Sequence, residues 1–361
     1  MSRFSLHDLV RFGVEGRGPL PDYLRMQYAS FEVEGGADPE LQIRIAELAA
    51  PTSPPLRLKG DGAAYLRDGP HFIWERSGAQ VAMEGSSPLR DLARLSVEPG
   101  FPRMDLNRLL EFRFRLPMLE AGVALVHASC LSQGKSCMVF PAWKATGKTS
   151  LCLTLLARGH GFLSDDRIWL RRDGHALAYP RYLVINASNA GDFPELLDSR
   201  ARFAHGAHRA LETWGLPAVV SRIAGRLLPR PVRYFTLGEL FPDAPTPPCA
   251  EVSRVVFVVC DTRTDPAWDE LDAMQMSALV RSVSDFEWNA ELVGFTAAHD
   301  VLFPEGPSWR EELRSLVEGE GRVLAEALSR ADCARLRLPC GEAGVAWEAA
   351  ADAVEARATG G

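Results

Sequence analysis

The stretch from residue 136 to residue 170 constrains this chain more than any other. Residues 136–140, Ser-Cys-Met-Val-Phe, form a short apolar run that suits a buried strand and stops at Pro141. Then come Ala142, Trp143, Lys144, Ala145, Thr146, Gly147, Lys148 and Thr149. Their form is a small residue, four residues of any kind, then Gly-Lys-Thr. Residues 150–158, opening with Ser150, favour a helix, and Gly159 closes it. Residues 161–164 are apolar again and lead into Asp165 and Asp166. Strand, loop, helix, strand and paired acids imply an α/β fold with a buried sheet.

The order carries chemistry. The first N–H groups of a helix have no partner inside it, so with the loop they can cradle a phosphate. Gly147 lets the backbone approach closely. Lys148 would place its ammonium between β- and γ-phosphates, and Thr149 would ligate Mg²⁺. Ala142 to Ser150 therefore read as a nucleotide-binding loop, with ATP and Mg²⁺ as the expected cofactors. Two carboxylates beside such a loop can divide the work, one holding the metal and one accepting a hydroxyl proton. Asp165, with Thr149, is the metal candidate. Asp166, Asp165, Lys148 and His127 are the catalytic candidates, and the sequence barely separates the two acids as base.

Four short motifs add a resemblance. His127-Ala128-Ser129, Gly147-Lys148-Thr149, Arg158-Gly159-His160 and Asp165-Asp166-Arg167-Ile168 occur in that order. In order and spacing the stretch resembles the catalytic domain of HPr serine kinase/phosphorylase and HPr-kinase-related proteins. The resemblance implies a P-loop kinase core of HPr-kinase/carboxykinase type, similar to phosphoenolpyruvate carboxykinase, over residues 117–361. It places His127 near the catalytic acid. It implies an ATP-dependent kinase acting on a hydroxyl: a serine of a peptide or small protein, as in enzymes that tailor lasso peptides, or a small-molecule alcohol. Ala142 and Ala145 stand where the family usually has glycine, which implies an altered loop shape. A Glu-Leu-Arg-Gly signature is missing after the acids, which argues against the phosphorylase reaction and against HPr as substrate. The alternatives are a nucleotide-sensing protein without phosphoryl transfer, and a bifunctional HPr kinase/phosphorylase.

Bulk properties exclude other classes. With 361 residues and a net charge of −7, a general nucleic-acid surface is not expected. No apolar run approaches the ~20 residues of a membrane span, and no signal pattern opens the chain, so a cytoplasmic protein is expected. The seven scattered cysteines fit reduced core thiols better than disulfides or zinc.

Residues 1–116 read as a β-rich N-terminal accessory domain. Leu41, Ile43 and Ile45 alternate with polar residues; residues 63–67, 71–75 and 80–84 suggest further strands, and residues 51–55 a loop. Its expected role is acceptor recognition, dimerisation (a homo-oligomer), or plain scaffolding of the sheet. Asp105 would cap a helix that Pro117 interrupts or ends. Strands are expected over 123–126, 168–171, 175–179, 232–237, 255–260 and 336–338. Helices are expected over 211–228, 274–283, 309–317, 323–328 and 345–356, with Gly319 and Gly321 separating the third from the fourth. Residues 186–202 read as loop and short helix. Arg222, Arg226, Arg230 and Arg233 add a local basic excess, and Arg181, Asp261 and Arg263 are weaker ligand candidates.

Overall fold

A computed structural model describes residues 1–35, 37–49, 55–60, 62–84, 92–143, 146–185, 192–193, 196, 233–261, 265–286, 290–339 and 347–359. Lys144, Ala145, Arg222, Arg226, Arg230, Arg263, the loop over 51–54, most of 186–202 and the helix expected over 211–228 lie outside the described residues. The protein is mixed α/β with several sheets. It divides into two compact units. One comprises Met1–Leu125, Trp169–Asp173 and Arg281–Ala327; the other comprises Val126–Ile168, Gly174–Val280 and Leu328–Gly361.

In the second unit the long strand Cys249–Asp261 is central. Its Val-Val-Phe-Val-Val run is β-branched and aromatic, the composition of a buried strand. It pairs in parallel with Ser136–Pro141 on one side and with Asp332–Pro339 on the other. Ala128–Gln133 runs antiparallel to Ser136–Pro141, and Gly161–Ser164 lies outside it. At the far side Ala267–Glu270 pairs with Asp332–Pro339, and His175–Leu177 pairs with the start of the long strand. Asp261 and Pro339 end level with each other, while Ser136–Pro141 stops earlier along the central strand, with Ala142 bridging to Val258. The Gly-Lys-Thr loop leaves from that carboxyl end, where open α/β sheets gather ligands. Helix Lys148–Ala157 follows it. Its Leu151, Cys152, Leu155 and Leu156 are buried against Phe140, Val256, Val258 and Leu336. Each such leucine contributes about 1.5–3 kcal/mol as an upper estimate.

In the first unit eight strands form one sheet. Ser2–Leu6, Val10–Glu15, Leu41–Ile45, Arg94–Val97, Ala79–Glu84, His71–Arg76, Ala63–Asp68 and Leu56–Gly60 neighbour one another in that order. Helix Arg103–Glu120 also belongs to this unit, with Leu106, Leu109, Leu110, Phe112, Phe114 and Met118 buried.

Several expectations are corrected here. Asp105 does not cap its helix: Pro102 is the N-cap, and Asp105 pairs instead with Arg76 and Arg108 from within the first turn. Pro117 neither interrupts nor ends the helix, because the buried apolar side chains outweigh the ~3 kcal/mol cost of an internal proline. Gly319 and Gly321 do not separate two helices; Trp309–Leu328 is continuous. A Cβ at Gly319 would strike Leu119, and one at Gly321 would press within 3.0 Å of Arg281. These glycines serve close approach rather than a break. Cys260 is disulfide-bonded, so the cysteines are not all reduced thiols. Helices Pro19–Gln27 and Ala290–Leu302 add to the expected elements. Among the described residues no helix is long and apolar enough to cross a membrane.

Candidate functional site

The first turn of helix Lys148–Ala157 organises the site. Gly147 is its N-cap, in the left-handed region at φ 90°, and offers no side chain of its own to cap the turn. Thr146 folds back on the loop, its hydroxyl donating to the Trp143 carbonyl at 2.6 Å. Trp143 itself is exposed.

Three consecutive residues, Lys148, Thr149 and Ser150, leave the turn in three directions. The Thr149 hydroxyl donates to Asp165 Oδ2 at 2.9 Å. The Ser150 hydroxyl, fully buried, donates to Asp192 Oδ2 at 2.7 Å. The Lys148 ammonium contacts His127 Nε2 and lies 3.5 Å from the Ala142 carbonyl. A charged Lys148 can only donate, which makes His127 Nε2 the acceptor and leaves Nδ1 to carry the ring hydrogen. That nitrogen faces Asp166 Oδ1 at 3.7 Å.

The two acids differ because the chain turns sharply between them. Gly161–Ser164 ends, the Ser164 hydroxyl donates to the Arg167 carbonyl, and the loop is tight. Asp165 points inward and is buried. Ser129 donates its hydroxyl to the Asp165 carbonyl at 2.5 Å and to Oδ1 at 3.1 Å. Burial raises the Asp165 carboxyl to about 6, helped by neighbouring Asp166; Thr149, Lys148 and Ser129 pull the other way. The buried Cys152 thiol is pushed up by burial and by Asp165. Asp166 is half exposed and lies 3.6 Å from Arg167 Nε.

Of the sequence candidates, His127, Lys148, Thr149, Asp165 and Asp166 form one connected set. Ser150 faces the other side of the turn. Arg158 and His160 are spent elsewhere: they bind Glu348, Asp352 and Glu355 of helix Trp347–Thr359. Three participants were not assigned a role from the sequence. Ser129 lies inside the His127-Ala128-Ser129 motif, and its strand also carries Ser132 and Gln133, so its hydroxyl alone gives no signal. Cys152 is one helical turn from Lys148. Asp192 had no signal, since only the fold brings residue 192 to residue 150. Among the described residues, no three or more His, Cys, Asp or Glu side chains are arranged to hold a metal by themselves.

No family model matches the chain, and no curated protein matches it. Among solved structures, the Hpr(Ser) kinase/phosphatase from Coxiella burnetii is similar at 17% identity and a TM-score of 0.24. The similarity covers 41% of this chain and 76% of that one. It is a weak likeness to a kinase/phosphatase, and at this size it settles neither fold nor activity.

Proposed function

We propose that this protein is an ATP-dependent, Mg²⁺-requiring kinase that transfers the γ-phosphate to a hydroxyl. The acceptor we favour is a serine of a peptide or small protein, with a small-molecule alcohol second. The observation that carries the reading is the buried Asp165 carboxylate on the Thr149 hydroxyl, beside the contact chain Lys148–His127–Asp166. Buried carboxylates are costly, and this one is held by hydroxyls rather than by a basic side chain.

Thr149 and Asp165 fit a hard cation: both offer oxygen, and a cation would relieve the burial that raises Asp165. Mg²⁺ commonly takes one or two carboxylates and draws its other ligands from phosphate and water. When bound, the metal supplies charge neutralisation at the phosphates. The protein's own groups do the rest. First-turn N–H groups and Lys148 bind and orient the phosphates. Asp166, exposed enough to meet an acceptor, takes the hydroxyl proton. His127 holds Lys148 and faces Asp166, keeping ammonium and base in one frame.

The test is transfer of label from γ-labelled ATP, with Mg²⁺, to a panel of serine-bearing peptides and simple alcohols. Label on an acceptor hydroxyl, dependent on Lys148, is the expected result. Tight, Lys148-dependent ATP binding with no labelled product from any acceptor would turn the reading toward a nucleotide sensor.

A further inference from the structure

A glycine in a phosphate loop leaves open the volume its side chain would take, and through that volume the backbone meets the phosphate. At Gly147 this volume is filled. A Cβ built there would run into the ring of Trp347, with Cζ3 2.9 Å away and two further ring atoms closer. Gly147 therefore has two reasons to lack a side chain: its φ of 90° and the indole pressed against it. A bulkier phosphate could not use that face of Gly147 while the ring is there.

The ring is held by a built device. Trp347 is the first residue of helix Trp347–Thr359. The helix buries Ala350, Ala351 and Val354 in the cluster that includes Leu151, Cys152 and Leu155 of the loop helix. On its outer side Glu348, Asp352 and Glu355 share one face, four and then three residues apart. Arg158, just past the end of the loop helix, reaches all three: Asp352 at 2.8 Å, Glu355 at 2.7 Å, and Glu348. His160 Nε2 adds a contact to Glu355 at 3.1 Å. The helix is thus fastened to the element that follows the loop, with its tryptophan laid on the loop's glycine.

We infer that helix Trp347–Thr359 is an autoinhibitory strap: the Trp347 ring closes the Gly-Lys-Thr loop, and nucleotide enters only after the ring leaves Gly147. This rests on the reading of the loop as a nucleotide site. The strap lowers apparent affinity by the fraction of molecules in which it is open. Loosening it raises affinity although it removes packing, a pair of opposite effects that a purely structural tryptophan does not give.

The experiment measures association and equilibrium binding of N-methylanthraniloyl-ATP with Mg²⁺ to the full chain. Trp347→Ala is expected to bind about tenfold tighter and faster than the parent while melting at a lower temperature, which corresponds to an open fraction of about one in ten. Trp347→Phe, which restores a flat ring, is expected to return toward the parent. Arg158→Gln leaves the apolar contact intact and loosens only the polar fastening. It is expected to tighten binding about threefold, within the range of exposed ion pairs, and it carries the test if Trp347→Ala does not fold. Parent binding that depends on Lys148, with no gain in either loosened variant, would overturn the strap and leave the nucleotide site standing. Binding indifferent to Lys148→Ala, or none in any variant, would overturn both.

Discussion

Asp165 and Glu320 are equally buried, each 6% exposed, in different units of the chain. Glu320 is met by Arg115, itself buried, through Nε at 2.9 Å and Nη2 at 2.5 Å. That is the two-pronged geometry in which a guanidinium satisfies a carboxylate. Asp165 is met by the hydroxyls of Thr149 and Ser129, and burial raises it to about 6. Hydroxyls satisfy hydrogen bonds without cancelling charge. The difference separates two settings for a buried acid: one paired with its own guanidinium, one paired with hydroxyls and, on the proposed reading, awaiting the metal.

The largest expected effect tests the proposed chemistry around the open acid. Asp166→Asn should cut phosphoryl transfer about 10²- to 10⁴-fold, the usual contribution of a general base, while leaving nucleotide binding and melting temperature near the parent's. Asp166 is half exposed, so its loss should cost little stability. A variant that keeps transfer within a few-fold of the parent would remove Asp166 from the base role.

The closed acid comes next. Arg115→Met strands Glu320 without its partner and should destabilise the protein by about 3–5 kcal/mol in urea unfolding. A loss below about 1 kcal/mol would show that Glu320 does not need its cation, and the contrast with Asp165 would lose its reference.

Asp165→Asn should act in the opposite direction. The folded state holds the Asp165 proton to about 6, the unfolded chain only to 3.8. As pH rises between those values the folded state binds more protons than the unfolded one, so wild-type stability falls across that window. Above it the cost is constant, about 3 kcal/mol as an upper figure. Asparagine has no such cost and keeps a group that the two hydroxyls can pair with. Urea midpoints should therefore favour Asp165→Asn at pH 8 and converge with wild type below about pH 4. Equal midpoints at pH 8 would mean that the charge is already compensated in the free protein.

What the sequence made legible follows the same division between local and distant. The strand, loop and helix around Gly147-Lys148-Thr149 could be read because each rests on neighbours in the chain: an apolar run, a turn glycine, a helix-forming stretch. Asp165 and Asp166 could be named, but not told apart. Their difference comes from Ser129 and Thr149, 36 and 16 residues away. Gly319 and Gly321 suggest a break from sequence because a helix-breaking residue and a close-packing residue are the same letter, and only Leu119 and Arg281 decide between them. Asp192 and Trp347 had no local mark, since their importance lies wholly in what the fold sets beside them.

The smallest expected effect is also the most specific. Mg²⁺ with a non-hydrolysable ATP analogue at ten times its Kd should stabilise the wild type at pH 8 by about 1.4 kcal/mol. A metal site needs the ionised carboxylate, so protons compete with it. At pH 5.5, below the raised value of Asp165, the same ligand concentrations should stabilise less. In Asp165→Asn the metal-dependent part should be absent at both pH values, leaving only what the nucleotide gives alone. Asp165→Asn would then be more stable than wild type without ligand and gain less from it. Only a carboxylate kept for a cation produces that crossing; an acid that merely fills space would shift both measurements together.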